Sequence, residues 1–128
     1  MIGLCLAAAL SGIAATRIDL PDGRFSLRWI HSIEKVEWRE EWRVTAAGLE
    51  IVEARIKGSG AGMEPGPDAR RQDGWYVWRP PTPPLARLIL ARSDAVADHS
   101  LCFAQDCRPL SQYSAGTGSV ILEPCHAP

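Results

Sequence analysis

The fold is decided by the stretch FSLRWIHSIEKVEWREEWRVTAAGLEIVEARI, residues 25–56, in which apolar and polar side chains alternate. Its first run places Phe25, Leu27 and Trp29 on one side, with polar residues between them. Alternation with a period of two is typical of a strand that buries one face and exposes the other. Because three such runs follow one another closely, the sequence predicts a three-stranded antiparallel meander over residues 24–57.

The first two runs are predicted to form a hairpin around Glu34-Lys35. This pairing keeps all apolar positions on one face, as antiparallel strands require. The opposite residues are then Phe25 and Val44, Leu27 and Trp42, Trp29 and Glu40, and His31 and Trp38.

The next connection, Ala46-Ala47-Gly48, is predicted to be a three-residue hairpin loop with Gly48 in the left-handed conformation. Thr45 then lies opposite Leu49. The same register places Trp42 opposite Val52 and Trp38 opposite Ile56.

Further strands are expected at residues 75–78, 87–91, 100–103 and 119–122, and residues 85–92 are alternatively a short helix. The length of 128 residues suits one domain. We therefore expect an all-β fold, a small antiparallel sheet that is barrel-like or a sandwich and starts with the meander.

Composition narrows the class of protein further. The chain is 46% hydrophobic and 23% charged, with a formal net charge of -1. These values are typical of a globular domain, and they give no electrostatic reason to expect a nucleic-acid partner.

Three segments are distinguished along the chain. Residues 1–15 carry no charge and have small residues at 12–15, so they are expected to be a signal peptide or a short membrane anchor. Residues 16–110 form the predicted β domain, and residues 111–128 are expected to be a loosely ordered tail.

The chain has four cysteines. Cys102 and Cys107 enclose four residues, a spacing that suits a disulfide across a tight turn in an oxidising compartment. Cys5 lies in the expected signal segment, which leaves Cys125 without an obvious partner.

Glu40 is an acid on an otherwise aromatic face, between Trp38 and Trp42. A buried carboxylate is costly unless it is paired or hydrogen-bonded. In the predicted register His31 is its diagonal neighbour, so the pair is either a ligand-binding or acid–base dyad, or a structural pair that fixes the register. Ser32 is adjacent to His31 on a strand and points to the opposite face, which argues against a nucleophile and base.

Two other groups of residues give weaker indications of a metal or anion site. A metal site would need a third ligand near His31 and Glu40. Glu53, His99 and His126 are available, but no spacing connects them to that pair, so neither a metal nor a cofactor is predicted.

The glycine-rich run 58–65 contains Gly60 and Gly62, which would let backbone amides approach a small anion. The sequence favours the alternative, a flexible or bulged loop that closes over the sheet, because Pro65 and Pro67 follow in place of a helix and no Lys-Ser/Thr pair is present.

Several motifs together resemble the DUF1850 family. These are the aromatic-flanked His31-Ser32-Ile33-Glu34 followed by Glu40, the Gly60-Ala61-Gly62 loop, Asp73-Gly74-Trp75, and the paired cysteines at 102 and 107. The resemblance covers about residues 24–110. It makes His31, Ser32, Glu34, Glu40, Gly60 and Gly62 the candidate ligand-binding residues.

The resemblance implies a small bacterial protein, periplasmic or tethered outside the cytoplasm, encoded beside TRAP-type transporters for organic acids. We therefore expect an exported accessory or binding module with no established catalysis. Its expected partners are transporter membrane or solute-binding subunits and a small organic anion. An acid–base enzyme that uses His31 with Glu34 or Glu40, and a purely structural envelope protein, are the alternatives.

Overall fold

The computed structural model describes residues 2–8, 16–30, 36–57, 68–92, 97–114 and 118–126. Within these ranges the chain forms strands and one 3-10 turn, so the predicted all-β class is confirmed. The strands are β1 (Ile2–Ala8), β2 (Thr16–Asp19), β3 (Arg24–Ile30), β4 (Glu37–Thr45), β5 (Gly48–Lys57), β6 (Arg70–Gln72), β7 (Trp75–Trp78), β8 (Leu88–Leu90), β9 (Ser100–Phe103), β10 (Asp106–Pro109) and β11 (Val120–His126), and the turn is Leu110–Gln112.

The strands form two antiparallel sheets that share one core. The large sheet has the order β10-β9-β3-β4-β5-β7-β6, and the small sheet has the order β2-β1-β11-β8. Leu4, Leu6 and Leu122 of the small sheet join Leu27 and Ile56 of the large sheet in one buried cluster. The fold is therefore a β-sandwich, and we call the face of the large sheet that meets the small sheet its inner face.

The predicted meander is β3, β4 and β5, but the register of its first hairpin is wrong by two residues. Trp29 lies opposite Trp38, and Glu40 lies opposite Leu27. A shift by two keeps every side chain on its predicted face, so the apolar pattern cannot distinguish the two registers. The diagonal neighbours of Glu40 on β3 are then Phe25 and Trp29 rather than His31, which lies outside the described residues.

The second hairpin is also corrected. Thr45 lies opposite Gly48 and Trp42 lies opposite Ile51, whereas Trp38 lies opposite Ile56 as predicted. The pairing near the loop and the pairing at Trp38 differ in register by one residue. The register shifts at Trp42, where Val52 is an extra residue in β5. An extra residue of this kind is a β-bulge, which locally bends a strand.

Gly48 is required at the start of β5. Its φ is +129°, and a Cβ there would collide with the backbone carbonyl of Leu85. This close approach belongs to a backbone bridge in which Leu49 donates to the Leu85 carbonyl at 2.8 Å and Leu85 donates back at 2.9 Å.

We expect Gly48→Ala to lower the free energy of unfolding by more than about 1 kcal/mol, because alanine is strained at this φ and must also break the bridge. Gly74→Ala is the matched control. Gly74 has φ +85°, but only the Lys57 side chain lies near it, at 3.6 Å. Denaturant unfolding should show a clearly larger loss for Gly48→Ala, and equal losses would contradict the steric argument.

The segment expected to be a signal or anchor contains β1. This strand pairs with β11 on one side and β2 on the other. Leu4 and Leu6 are exposed by only 0% and 1%, so the structure gives the apolar character of this segment another reason, burial in the sandwich core. Cleavage of the segment stays a prediction.

The C-terminal segment is corrected too. The strand expected at 119–122 is present as β11, but it extends over Val120–His126, where the rest of a loosely ordered tail was expected. Val120 and Leu122 are fully buried against the core. Cys125 is not left over, since it is bonded to Cys5. The predicted Cys102–Cys107 disulfide is present across the β9–β10 hairpin.

The other expected elements agree with the structure more closely. Trp75–Trp78 and Ser100–Phe103 are strands with the predicted bounds, and Leu88–Leu90 is a strand rather than the alternative short helix. None of the described residues form a helix with the length and apolar composition needed to cross a membrane.

Candidate functional site

A line of tryptophans crosses one end of the inner face. Trp29 and Trp38 lie opposite each other in the sheet, and their rings stack with centroids 5.7 Å apart. Trp78 meets Trp38 edge-on at the same separation of 5.7 Å. Such stacked and edge-to-face pairs are the favoured aromatic geometries, so the rings hold one another in place.

Glu40 lies on the same face, two residues from Trp38 and two residues from Trp42 along β4. Its sheet neighbours are Leu27 and Ala54, which are exposed by 0% and 1%. The indole N–H of Trp42 donates to Oε1 at 3.0 Å, and that of Trp38 donates to Oε2 at 3.2 Å. Each carboxylate oxygen therefore has one hydrogen bond in an otherwise apolar row.

The environment of Glu40 raises its pKa above the ordinary value of 4.5. The main cause is burial, which removes water from the charged form, and the two indole hydrogen bonds oppose it. As a whole residue, Glu40 is only partly buried.

His99 completes the polar part of this region. Its ring lies 5.0 Å from that of Trp29. Burial lowers the pKa of His99 below 6.5, and nearby Asp98 only partly offsets this. The imidazole is therefore neutral at pH 7, and its Nδ1 is buried without a hydrogen-bond partner in the part of the chain that the structure describes.

These groups line one open cavity of ≈ 610 Å³. One wall is made by Trp29, Trp38, Trp42 and Trp78, with Glu40 among them and His99 at the side. The remaining lining comes mainly from the segment that includes β8, and it is apolar except for one threonine: Pro80, Thr82, Leu85, Leu88, Ile89, Leu90 and Ala91. We call this cavity the tryptophan groove.

A comparison with protein-family models matches residues 25–110 to DUF1850, a domain of unknown function. The chain belongs to the DUF1850 family. The resemblance noted in the sequence is thereby confirmed, and every tryptophan of the groove lies within the matched residues. Searches of curated proteins and of solved structures each gave no significant match.

Of the candidate ligand-binding residues of this DUF1850 domain, Glu40 is the one that the structure places in the groove. The others, His31, Ser32, Glu34, Gly60 and Gly62, lie outside the described residues, so their role stays a prediction.

The strand ends next to those residues are nevertheless informative. The segment 31–35 follows Ile30 at the end of β3, and the segment 58–67 follows Lys57 at the end of β5. Trp29 immediately precedes Ile30 in β3. Ile56 immediately precedes Lys57 in β5, and it lies opposite Trp38 of β4. Within the described residues, β3 therefore ends directly after the groove residue Trp29, and β5 ends one residue after the partner of Trp38.

Sequence reasoning named His99 only as a spare metal ligand and missed its place in the groove. Leu101 and Phe103 belong to β9 with the period of two, and extending that period backwards reaches His99. Among the described residues, no group of three His, Cys, Asp or Glu side chains is placed to hold a metal ion.

The raised pKa of Glu40 has a consequence for stability. Because folding favours the protonated form, ionisation of Glu40 costs folding free energy. The cost is absent below the ordinary pKa of 4.5 and grows as pH rises through the higher pKa of the folded protein. Glu40→Gln has no such cost at any pH.

We therefore expect the unfolding free energy of Glu40→Gln, minus that of the wild type, to increase as pH rises from about 4.5 and then level off. Denaturant unfolding of both proteins at a series of pH values measures this difference. His99 titrates in both proteins and therefore cancels in the comparison. A difference that stays constant or falls with pH would contradict the burial of this carboxyl group.

Proposed function

We propose that this DUF1850 domain is a binding module that works outside the cytoplasm and holds a small organic ligand in the tryptophan groove. The observation that carries the proposal is the groove itself, a cavity of ≈ 610 Å³ with aromatic walls, Glu40 and His99. Ligand sites are typically cavities of about 300–1,000 Å³, mostly apolar, with a few polar groups that fix orientation.

The two disulfides support the proposed location. Cys5–Cys125 and Cys102–Cys107 account for all four cysteines. Disulfides persist in oxidising compartments and are rare in the cytosol of most organisms. A periplasmic protein, free or tethered to the membrane, fits this chemistry.

The proposed partner follows from the family resemblance. In the proposal the domain is an accessory of a TRAP-type transporter and contacts its membrane or solute-binding subunits. Co-purification of the oxidised protein with the membrane and solute-binding subunits of a TRAP-type transporter from the same organism tests this part. Association is the expected result, and its absence under conditions in which the transporter assembles would remove the transporter from the proposal.

Ligand binding is tested by a thermal-shift screen of the oxidised protein against small carboxylates, amines and neutral organic compounds. Thr82→Trp is the diagnostic variant, because Thr82 is an exposed residue of the groove wall and a large ring there would occupy part of the cavity. Gln72→Trp is the matched control, since Gln72 is exposed on β6 and does not line the groove.

We expect a compound that raises the melting temperature of the wild type and of Gln72→Trp but not of Thr82→Trp. Equal shifts in all three proteins would place the ligand elsewhere. If no compound of any class shifts the wild type, the groove is not a ligand site.

A further inference from the structure

We propose that the tryptophan groove selects an organic ammonium cation, with Glu40 as its counter-ion. This inference rests on the proposed function and adds the chemical class of the ligand.

The first argument is the charge of the lining. Among the described residues that line the groove, Glu40 and His99 are the ionisable ones, and none is lysine or arginine. His99 is neutral at pH 7, because burial lowers its pKa. An ionised Glu40 therefore gives the lining a negative charge that disfavours an anion. Arg92 is close enough to act on His99, but it does not line the groove and donates to the backbone carbonyls of Gly118 and Ser114.

The second argument is the number of indole rings. A cation over the face of an aromatic ring is attracted by the ring quadrupole, most strongly for tryptophan, and quaternary ammonium ligands are recognised in this way. Four tryptophans line the groove; Trp42 and Trp78 are buried, with 4% and 8% exposed, and Trp29 and Trp38 are the partly exposed rings that a cation can reach. Trp38 and Trp42 also donate to the carboxylate, which fixes Glu40 near the rings.

The two faces of the large sheet differ in their cation–π contacts, and this difference also supports a cationic ligand. On the outer face, Arg39, Lys57 and Arg55 lie 4.6, 5.0 and 5.8 Å from the ring centre of Trp75. On the inner face, no Lys or Arg of the described residues lies over the ring of a groove tryptophan. The protein supplies its own cations to the outer indole, and none of the described Lys or Arg side chains is placed in the same way on the groove indoles.

His99 would then contribute orientation rather than charge. Its neutral ring lies against Trp29, and Nδ1 is buried without a partner among the described residues. A neutral imidazole donates from one nitrogen and accepts at the other, so a ligand hydroxyl or N–H group would satisfy Nδ1 only after the His99 ring turns toward the groove.

Three probes of nearly the same shape test the charge preference by calorimetry. They are choline, neohexyl alcohol, in which carbon replaces the nitrogen of choline, and tert-butylacetate, which carries the opposite charge. We expect choline to bind about tenfold more tightly than neohexyl alcohol, and tert-butylacetate to bind least tightly.

Glu40→Gln separates charge from shape. We expect the variant to bind choline about tenfold more weakly than the wild type does, because the counter-ion is lost. Its unchanged affinity for neohexyl alcohol would show that the groove is still folded.

The possible failures are distinguishable. If choline and neohexyl alcohol bind equally, if tert-butylacetate binds most tightly, or if Glu40→Gln keeps full choline affinity, the cation class is wrong while ligand binding in the groove stands. If none of the three probes binds, the cation class is wrong and the screen with Thr82→Trp decides the proposed function separately.

Discussion

Deletion of residues 1–15 is expected to abolish the cooperative unfolding transition of this protein. The deletion removes β1, which is an inner strand of the small sheet and leaves both β2 and β11 without a partner on that side. Leu4 and Leu6 are buried, and loss of a buried leucine side chain costs about 2–5 kcal/mol even when only trimmed to alanine. Two such losses approach the whole stability of a typical domain, about 5–15 kcal/mol.

Circular dichroism and denaturant unfolding of the truncated protein measure this effect. Full-length Cys5→Ser is the control, because it loses the Cys5–Cys125 bond but keeps β1. We expect the control to unfold cooperatively and the truncated chain to lack a transition. An unchanged transition in the truncated chain would show that β1 is dispensable and would favour a cleaved signal.

The same strand bears on processing. Cleavage at residues 12–15, which the sequence alone suggests, would remove β1 from the sandwich. Cleavage there stays a prediction, and the behaviour of the truncated protein bears on it directly.

The second large effect concerns the two disulfides. Cys5–Cys125 joins residues 120 apart in sequence, whereas Cys102–Cys107 joins residues 5 apart. A cross-link stabilises a protein mainly by limiting the unfolded chain, and it limits the chain more when the closed loop is longer. This relation gives about 5 kcal/mol for the long loop and about 2 kcal/mol for the short one.

We therefore expect the double variant Cys5→Ser with Cys125→Ser to lose much more unfolding free energy than Cys102→Ser with Cys107→Ser. Each variant removes two sulfur atoms, so the comparison is matched in chemistry. Denaturant unfolding under oxidising conditions gives both losses. Equal losses, or a larger loss for the β9–β10 pair, would contradict the role of the Cys5–Cys125 bond in tying β1 to β11.

Much of the large sheet is predictable from sequence because its strands have one apolar and one polar face. That pattern identifies β3, β4 and β5, but it is unchanged by a slip of two residues, and residues 31–35 carry no turn signal that would fix the register. The bulge at Val52 could not be predicted for a related reason. Each half of the β4–β5 pairing, considered by itself, is consistent with the alternation of apolar and polar residues.

The small sheet is harder to predict. In β1 the alternating core residues are Leu4 and Leu6, but the residues between them are Gly3, Cys5 and Ala7, which are themselves small or apolar. The segment therefore resembles a continuous apolar leader rather than a strand with one buried face. Only long-range pairing with β11 distinguishes the two, and pairing across 120 residues leaves no local signal.

The candidate site was also predictable from the sequence only in part. A carboxylate between two tryptophans with a period of two is visible in the sequence, so Glu40 could be identified. The apolar wall formed by residues 80–91 could not, because it reaches the groove through the packing of the two sheets.

The most direct test of the groove follows the indole N–H signals of the tryptophans by NMR during a choline titration. The chain has five tryptophans, and Trp75 is an internal control because its ring lies on the outer face with Arg39 and Lys57. We predict that the signals of Trp38 and Trp42, whose N–H groups donate to Glu40, shift with saturation while the signal of Trp75 stays in place. No shift at Trp38 and Trp42, or a shift confined to Trp75, would contradict the account.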